Sequence, residues 1–298
     1  MSTSTVTVRS DRVHRSINCD GMFRAPAGDL DLVRGGFDGK VRFYENVGSV
    51  TEAVFEQRED QANPFDGIDT SSDSTPALGD VDGDGDLDLV AGGRSSAFAG
   101  VLNFFENMGS AKAPDLRERT GAGNVLDSVN VGEWSSPAFG DLNGDGALDV
   151  VVGRDDGALS FYESVRFSAS VVTEFVDRSS GIDADGKGLD RLDLGDSSAP
   201  ALGDLDGDGT LGPCPCPDTA TTLCSTGDLD IVTCEKDKTL IYFENVGTPA
   251  APRFEEKEDS ESPLHDVRVD EDDAYSAPAL GDLDGDGTLR LRPLIDIL

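Results

Sequence analysis

Positive charge and aromatic residues are both scarce in this sequence. Lys and Arg number 24 against 59 Asp and Glu, giving a formal net charge of −35, and aromatics make up 6% of the 298 residues. Such a surface repels nucleic acid and anionic lipid and attracts cations, so neither of the first two is an expected partner. No apolar run approaches the ~18–20 residues of a transmembrane helix, so no membrane insertion is expected. The N-terminal MSTSTVTVRSDRVHRS has no apolar h-region and does not read as a secretory signal. The five cysteines (19, 214, 216, 224 and 234) form no paired CxxC knuckles for zinc, and their odd number gives no complete disulfide framework. Cys214, Cys216 and Cys224 are close enough in sequence for a small loop disulfide and equally suited to remain thiols. The two histidines, His14 and His265, stand apart from any Ser or Cys that would form a nucleophile–base pair. With no phosphate-binding glycine loop either, the sequence reads as a non-enzyme.

What is abundant is glycine, 35 residues, alongside 37% hydrophobic residues. That balance argues for a turn-rich β protein with a core, against both a helix bundle and a disordered chain. Repetition organises it. TPALGDVDGDGDLDLV from Thr75, SPAFGDLNGDGALDVV from Ser136, and APALGDLDGDGTL from Ala199 and again from Ala277 align. Their first aspartates, Asp80, Asp141, Asp204 and Asp282, are spaced by 61, 63 and 78 residues. The long interval holds an insertion over 212–226, after which GDLD at Gly227–Asp230 resumes the pattern. A second element follows in register: VRFYENVG from Val41, LNFFENMG from Leu102, LSFYESV from Leu159 and IYFENVG from Ile241.

Each unit of about 60 residues contains four short runs of β-branched and aromatic residues broken by Gly, Asp, Asn and Ser, the pattern of four strands. For the unit from Thr75 these are PALGDV, LDLVAGG, VLNFFEN and a weaker run around Asp115–Thr120. No window carries helical periodicity. Four strands per unit predict an all-β fold of propeller blades; a stack of hairpins or a β-sandwich is the alternative. Residues 1–27 read as an irregular segment. The repeats run over about 28–74, 75–135, 136–198 and 199–276, with a truncated copy over 277–298. The first lacks its start, and the surplus strand at the C-terminal end would suit either an open arc or a ring closed by exchange of strands.

The chemistry lies in the spacing D-x-[DN]-x-D-G-x-x-D. It comprises Asp80, Asp82, Asp84, the Asp86 carbonyl and Asp88 in one repeat, and Asp141, Asn143, Asp145, the Ala147 carbonyl and Asp149 in the next. Asp204, Asp206 and Asp208 precede the insertion, with Asp230 beyond it; Asp282, Asp284 and Asp286 stand in the truncated copy. Carboxylates at alternate positions converge only around a positive charge, and a Ca²⁺ ion takes six to eight oxygens at ~2.3–2.6 Å. Mg²⁺ prefers stricter six-coordination with retained water, and a solvated acidic turn needs no ion at all. An EF-hand is excluded, because its twelfth position must be Glu, whereas Ala91 and Val152 stand there.

Together the acidic loop, the flanking strands and the ENxG turn, as in PALGDVDGDGDLDLVAGG followed by LNFFENMG, resemble the FG-GAP/VCBS repeats of integrin-α-type β-propellers. The resemblance runs from about Gly28 to the C-terminus. It implies a propeller with structural calcium between the first and second strands of each blade, an extracellular or cell-surface setting, and a role in adhesion or in binding a protein or glycan. The chain departs from that pattern in blade number, in the insertion that splits one loop, and in Phe23, Ala25 and Ala27, which leave only Asp31 of the first repeat's ligand set.

Two further features invite a functional reading. Trp134 and Tyr275 each lie three residues before the Pro that opens a repeat, among Asp, Glu and Ser, where an aromatic face could stack on a sugar. A lectin-like propeller is therefore the alternative function, with packing against a neighbouring blade as the plain one. Glu45, Glu106, Glu163 and Glu244 recur in every FYEN-type run. Recurrence in each repeat points to strand-end structure rather than to the single acid of a polysaccharide-active enzyme.

Overall fold

The structure is a computed structural model. It describes residues 31–36, 38–48, 54–70, 74–93, 102–110, 113–129, 131–132, 134–168, 171–180, 189, 194, 198–203, 211–213, 223–225, 229–234, 240–248, 252–258, 262, 264, 280–281 and 290–291. These residues form antiparallel meanders, one after another, arranged as a four-bladed β-propeller. Blade one has three strands, β1 (Leu32–Gly35), β2 (Val41–Asn46) and β3 (Phe55–Arg58). Blade two has β4 (Thr75–Gly79), β5 (Asp88–Gly92), β6 (Asn103–Asn107) and β7 (Leu116–Arg119). Blade three has β8 (Ser135–Gly140), β9 (Asp149–Arg154), β10 (Leu159–Ser168) and β11 (Val171–Asp177).

In blade four, β12 (Pro200–Gly203) pairs with β15 (Asp230–Cys234), which continues to β16 (Leu240–Asn245) and β17 (Phe254–Lys257). Between β12 and β15, the insertion is bracketed by a small ladder of β13 (Leu211–Pro213) on β14 (Leu223–Ser225). The last repeat contributes β18 (Leu280–Gly281) paired with β19 (Arg290–Leu291). Among the described residues β18 therefore takes its own second strand as partner, as β4 takes β5. Among the same residues no helix is long and apolar enough to cross a membrane.

First strands pack on first strands: β4 lies against β8, β8 against β12, and β12 against β18. Blade one has no described first strand, and there β1 approaches β4 directly. The core lies in layers between blades. Val33, Val41, Phe43 and Phe65 meet Leu78, Leu89 and Phe105 of the second blade. Ala77, Val90 and Phe104 of that same blade face the other way, onto Phe139, Val150, Val152 and Tyr162. Ala138, Val151 and Phe161 then meet Leu202, Ile231 and Phe243. Since neighbouring residues of a strand point to opposite faces and both faces are covered, the second strands read as unbroken apolar runs, LVAG and VVVG.

A recurring three-residue device sets how closely the blades approach. The Ser that opens one blade hydrogen-bonds the end of the previous blade's second strand: Gly93 N–H donates to Ser135 Oγ at 2.9 Å and Arg154 N–H to Ser198 Oγ at 2.9 Å. The Ser and the Pro that follows it fit only because glycine ends the facing strand. A Cβ on Gly92 would lie 2.5 Å from the Ser135 carbonyl oxygen and 2.6 Å from Pro137 Cδ, and one on Gly35 or Gly153 would meet Ser74 or Ser198 closer still. Backbone cannot yield as a side-chain tip can. Gly92→Ala is expected to destabilise the fold by ~2–3 kcal/mol, in the range of core overpacking. Gly123→Ala, whose Cβ would meet nothing nearer than 3.9 Å, is the matched control. Parallel urea melts compare them, and an unchanged Gly92→Ala midpoint would refute the close-approach account.

Candidate metal centre

The two described acidic loops connect the first and second strands of blades two and three. In the β4–β5 loop, the Asp80 carboxylate receives the amides of Gly83 at 2.8 Å and Gly85 at 3.1 Å, while Asp82 accepts from Asp84 N–H at 3.0 Å and Asp84 from Asp86 N–H at 2.9 Å. The curl depends on Gly83 and Gly85 at φ +81° and +100°, a region other residues avoid. Asp80, Asp82 and Asp88 bring one carboxylate oxygen each within 4.8 Å of one another, an arrangement that could hold a metal ion. Asp84 is exposed and stands outside that convergence.

The β8–β9 loop repeats the turn with small changes. Asp141 accepts from Asp145 N–H at 3.1 Å and Gly146 N–H at 2.9 Å, Asn143 Oδ1 from Asp145 N–H at 3.0 Å, and Asp145 from the N–H of buried Ala147 at 2.8 Å. Its carboxylates Asp141, Asp145 and Asp149 do not draw as close together as the first set, which is the one such cluster among the described residues. Asp204, Asp206, Asp208, Asp282, Asp284, Asp286 and Tyr275 lie outside the described residues. Trp134 is half-buried immediately before β8.

Burial has an electrostatic consequence. Asp82 is pushed up to about 6, chiefly by loss of solvent and then by the charges of Asp84, Asp80 and Glu106. Asp88 rises to about 8, again chiefly by burial; the Asn107 amide opposes the rise and Asp82 adds to it. Asp149 rises to about 7 by burial, against the Ser164 amide. Asp80 and Asp141 are raised by burial too, despite the loop amides that pull them down. The loops thus crowd carboxyl groups that want a proton or a cation.

The last aspartate of the motif has a second task that the spacing alone does not reveal. Asp88 is fully buried; one oxygen accepts from Asn107 N–H at 2.8 Å, at the end of β6, and the other from Val81 N–H at 3.0 Å in the loop. Asp149 does the same with Ser164 N–H at 2.9 Å and Leu142 N–H at 3.1 Å. Asp31 accepts from Asn46 N–H at 2.8 Å and Asp230 from Asn245 N–H at 2.9 Å, so all four blades carry this latch. In blade four the other Asp230 oxygen takes the Tyr242 hydroxyl at 2.9 Å.

The ENxG run completes the same end of the blade. Asn107 Oδ1 accepts from Gly109 and Asp115 N–H, both at 3.0 Å, and Asn46 and Asn245 cap their turns alike. The recurrent glutamates pair across to the last described strand of each blade or, for Arg178, the residue just after it. Glu45 meets Arg58, Glu106 meets Arg119, Glu163 meets Arg178, and Glu244 meets Lys257, at 2.5–3.2 Å. Their repetition is that of a cross-strand ion pair. Compared with known protein families and with curated proteins, the chain matches none.

Proposed function

We propose that this chain is a calcium-binding β-propeller of the FG-GAP/VCBS type, a non-catalytic module that presents its blades to a protein or glycan ligand in an extracellular or cell-surface setting. The observation that carries the reading is the convergence of Asp80, Asp82 and Asp88 within 4.8 Å, with burial opposing their ionisation. Calcium suits an irregular oxygen set of this kind, because it takes six to eight ligands in flexible geometry, whereas Mg²⁺ demands a near-ideal octahedron. Calcium would order the loop and neutralise its carboxylates, and so stabilise the fold by mass action. Four sites occupied in this way would still leave the chain strongly acidic, which favours a ligand that is neutral or basic.

Titration calorimetry of the metal-stripped protein with calcium, against magnesium and against an Asp82→Asn variant, tests the proposal. Asn is a fair substitute at this position, because the next loop carries Asn143 there with the same turn intact. Calcium is expected to bind where magnesium does not, and Asp82→Asn to lower the affinity of one site by about tenfold or more. No calcium heat at millimolar concentration would defeat the reading.

A further inference from the structure

The two described loops differ in the acid at their third position: Asp82 in one, Asn143 in the other, and Asn143 is followed by Gly144, the one Asn–Gly step in the chain. Gly144 is exposed and sits at φ +72°, with no side chain to crowd an approach to the Asn143 amide. We propose that Asn143–Gly144 is a self-modification site, at which the amide becomes a carboxylate and the second loop acquires the acidic set of the first.

In the reaction the Gly144 backbone nitrogen gives up its proton to solvent base and attacks Asn143 Cγ. The N–Cγ bond forms, the Cγ–Nδ2 bond breaks, and the nitrogen leaves as ammonia with a proton returned from water. The resulting five-membered imide is opened by water at either carbonyl. One opening leaves aspartate at position 143, and the other leaves isoaspartate, with an extra methylene in the backbone. No oxidant, reductant or enzyme is required.

The loop restrains this step. Asn143 Oδ1 is held by Asp145 N–H at 3.0 Å and Nδ2 by Glu163 Oε1 at 3.4 Å, while the Gly144 amide donates to Asp141. The nucleophile and its target are thus both tied to other groups, beside a carboxylate that disfavours a negative nitrogen. Ring closure has to await an opening of the turn. The Asp145–Asn143 bond is exposed and the Asn143–Glu163 bond part-buried, and neither belongs to the β8–β9 ladder, so the opening breaks no strand pairing.

The consequence for metal binding rests on the calcium reading above; the modification itself does not. Opened to aspartate, the loop offers carboxylates at 141, 143, 145 and 149, matching 80, 82, 84 and 88. Opened to isoaspartate, it loses the turn that aligns them.

The test is peptide-mapping mass spectrometry of the full chain held at mildly alkaline pH and physiological temperature, folded in chelator and unfolded in urea. Amide-to-acid conversion is expected at position 143 ahead of every other Asn in the folded protein, and several-fold faster in urea. Conversion in urea with none in the folded protein over the same period would overturn the proposal, as would equal conversion across the other asparagines. Separately, Asn143→Asp should bind calcium more tightly than the unaged parent by calorimetry. If neither protein binds calcium, the cation reading fails while the mass record at position 143 still decides the modification.

Discussion

Asp88→Ala is expected to cost ~3–5 kcal/mol of folding stability in calcium, and measurably less in chelator. Two buried amides, those of Val81 and Asn107, lose their acceptor, and each unsatisfied buried donor costs ~1–3 kcal/mol. On the proposed reading the variant in calcium would also lose a ligand, hence the larger loss. Without it, the substitution removes a carboxyl group that burial holds at about 8, and this relief offsets part of the damage. Urea unfolding in both buffers reads the difference. Equal losses in the two would remove the cation from the account, and a loss below ~1 kcal/mol would remove the latch.

Blade one supplies the internal comparison. Asp31 keeps the latch to Asn46, but its repeat has Phe23, Ala25 and Ala27 where the other carboxylates would stand. Asp31→Ala should therefore cost the same in calcium and in chelator. Asp31 makes the latch in a repeat with no acid at the other carboxylate positions of the set, so tying the second strand to the third does not require the acidic loop. The proposed cation site would use a carboxylate that the blade needs anyway.

Much of this was legible in the sequence. Alternating and apolar runs marked the strands of blade two closely: PALGDV covers β4 from its second residue, LDLVAGG contains β5 and VLNFFEN contains β6. Even the weak run near Asp115 became β7, a partly exposed edge whose Arg119 answers Glu106. The recurrent glutamates were recognisable as structural, though not their partners, because the pairing bridges 13 to 15 positions and depends on strand register. The contact of Gly92 with Ser135 and Pro137 was likewise hidden, since it joins two blades. Only the repeated S-x-P opposite a strand-ending Gly hinted at it. In blade three, Ser164 replaces the Asn that caps the turn elsewhere, and β10 runs on to Ser168 in a longer hairpin with β11. A missing cap does not by itself announce a longer strand. The latch was hidden for a different reason: a motif aspartate looks like a ligand, and nothing in its spacing says that its oxygens also face backbone amides.

The same carboxyl groups set an expected pH dependence opposite in sign to ordinary acid denaturation. Asp82 at about 6, Asp149 at about 7 and Asp88 at about 8 all lie above the usual 3.8. A carboxyl group that holds its proton more tightly when folded contributes stability that is complete below the unfolded value and is lost as pH rises through the folded value. In chelator, the contribution of these groups to Tm should therefore be greatest near pH 4 and fall as pH rises to about 8. A change of ~2 kcal/mol corresponds to ~3 °C in a chain of this size. Calcium bound as proposed would reverse the sign: it would hold the ionised carboxylates, protons would compete with it, and the stability it confers would grow with pH until the sites are fully ionised. The gap between the calcium and chelator melts should accordingly widen from pH 5 to pH 8.5. Thermal melts followed by circular dichroism across that range, in both buffers, measure it. A chelator Tm that rises with pH would mean that these aspartates are ionised without a cation, and the electrostatic demand for a metal in the two loops would be gone.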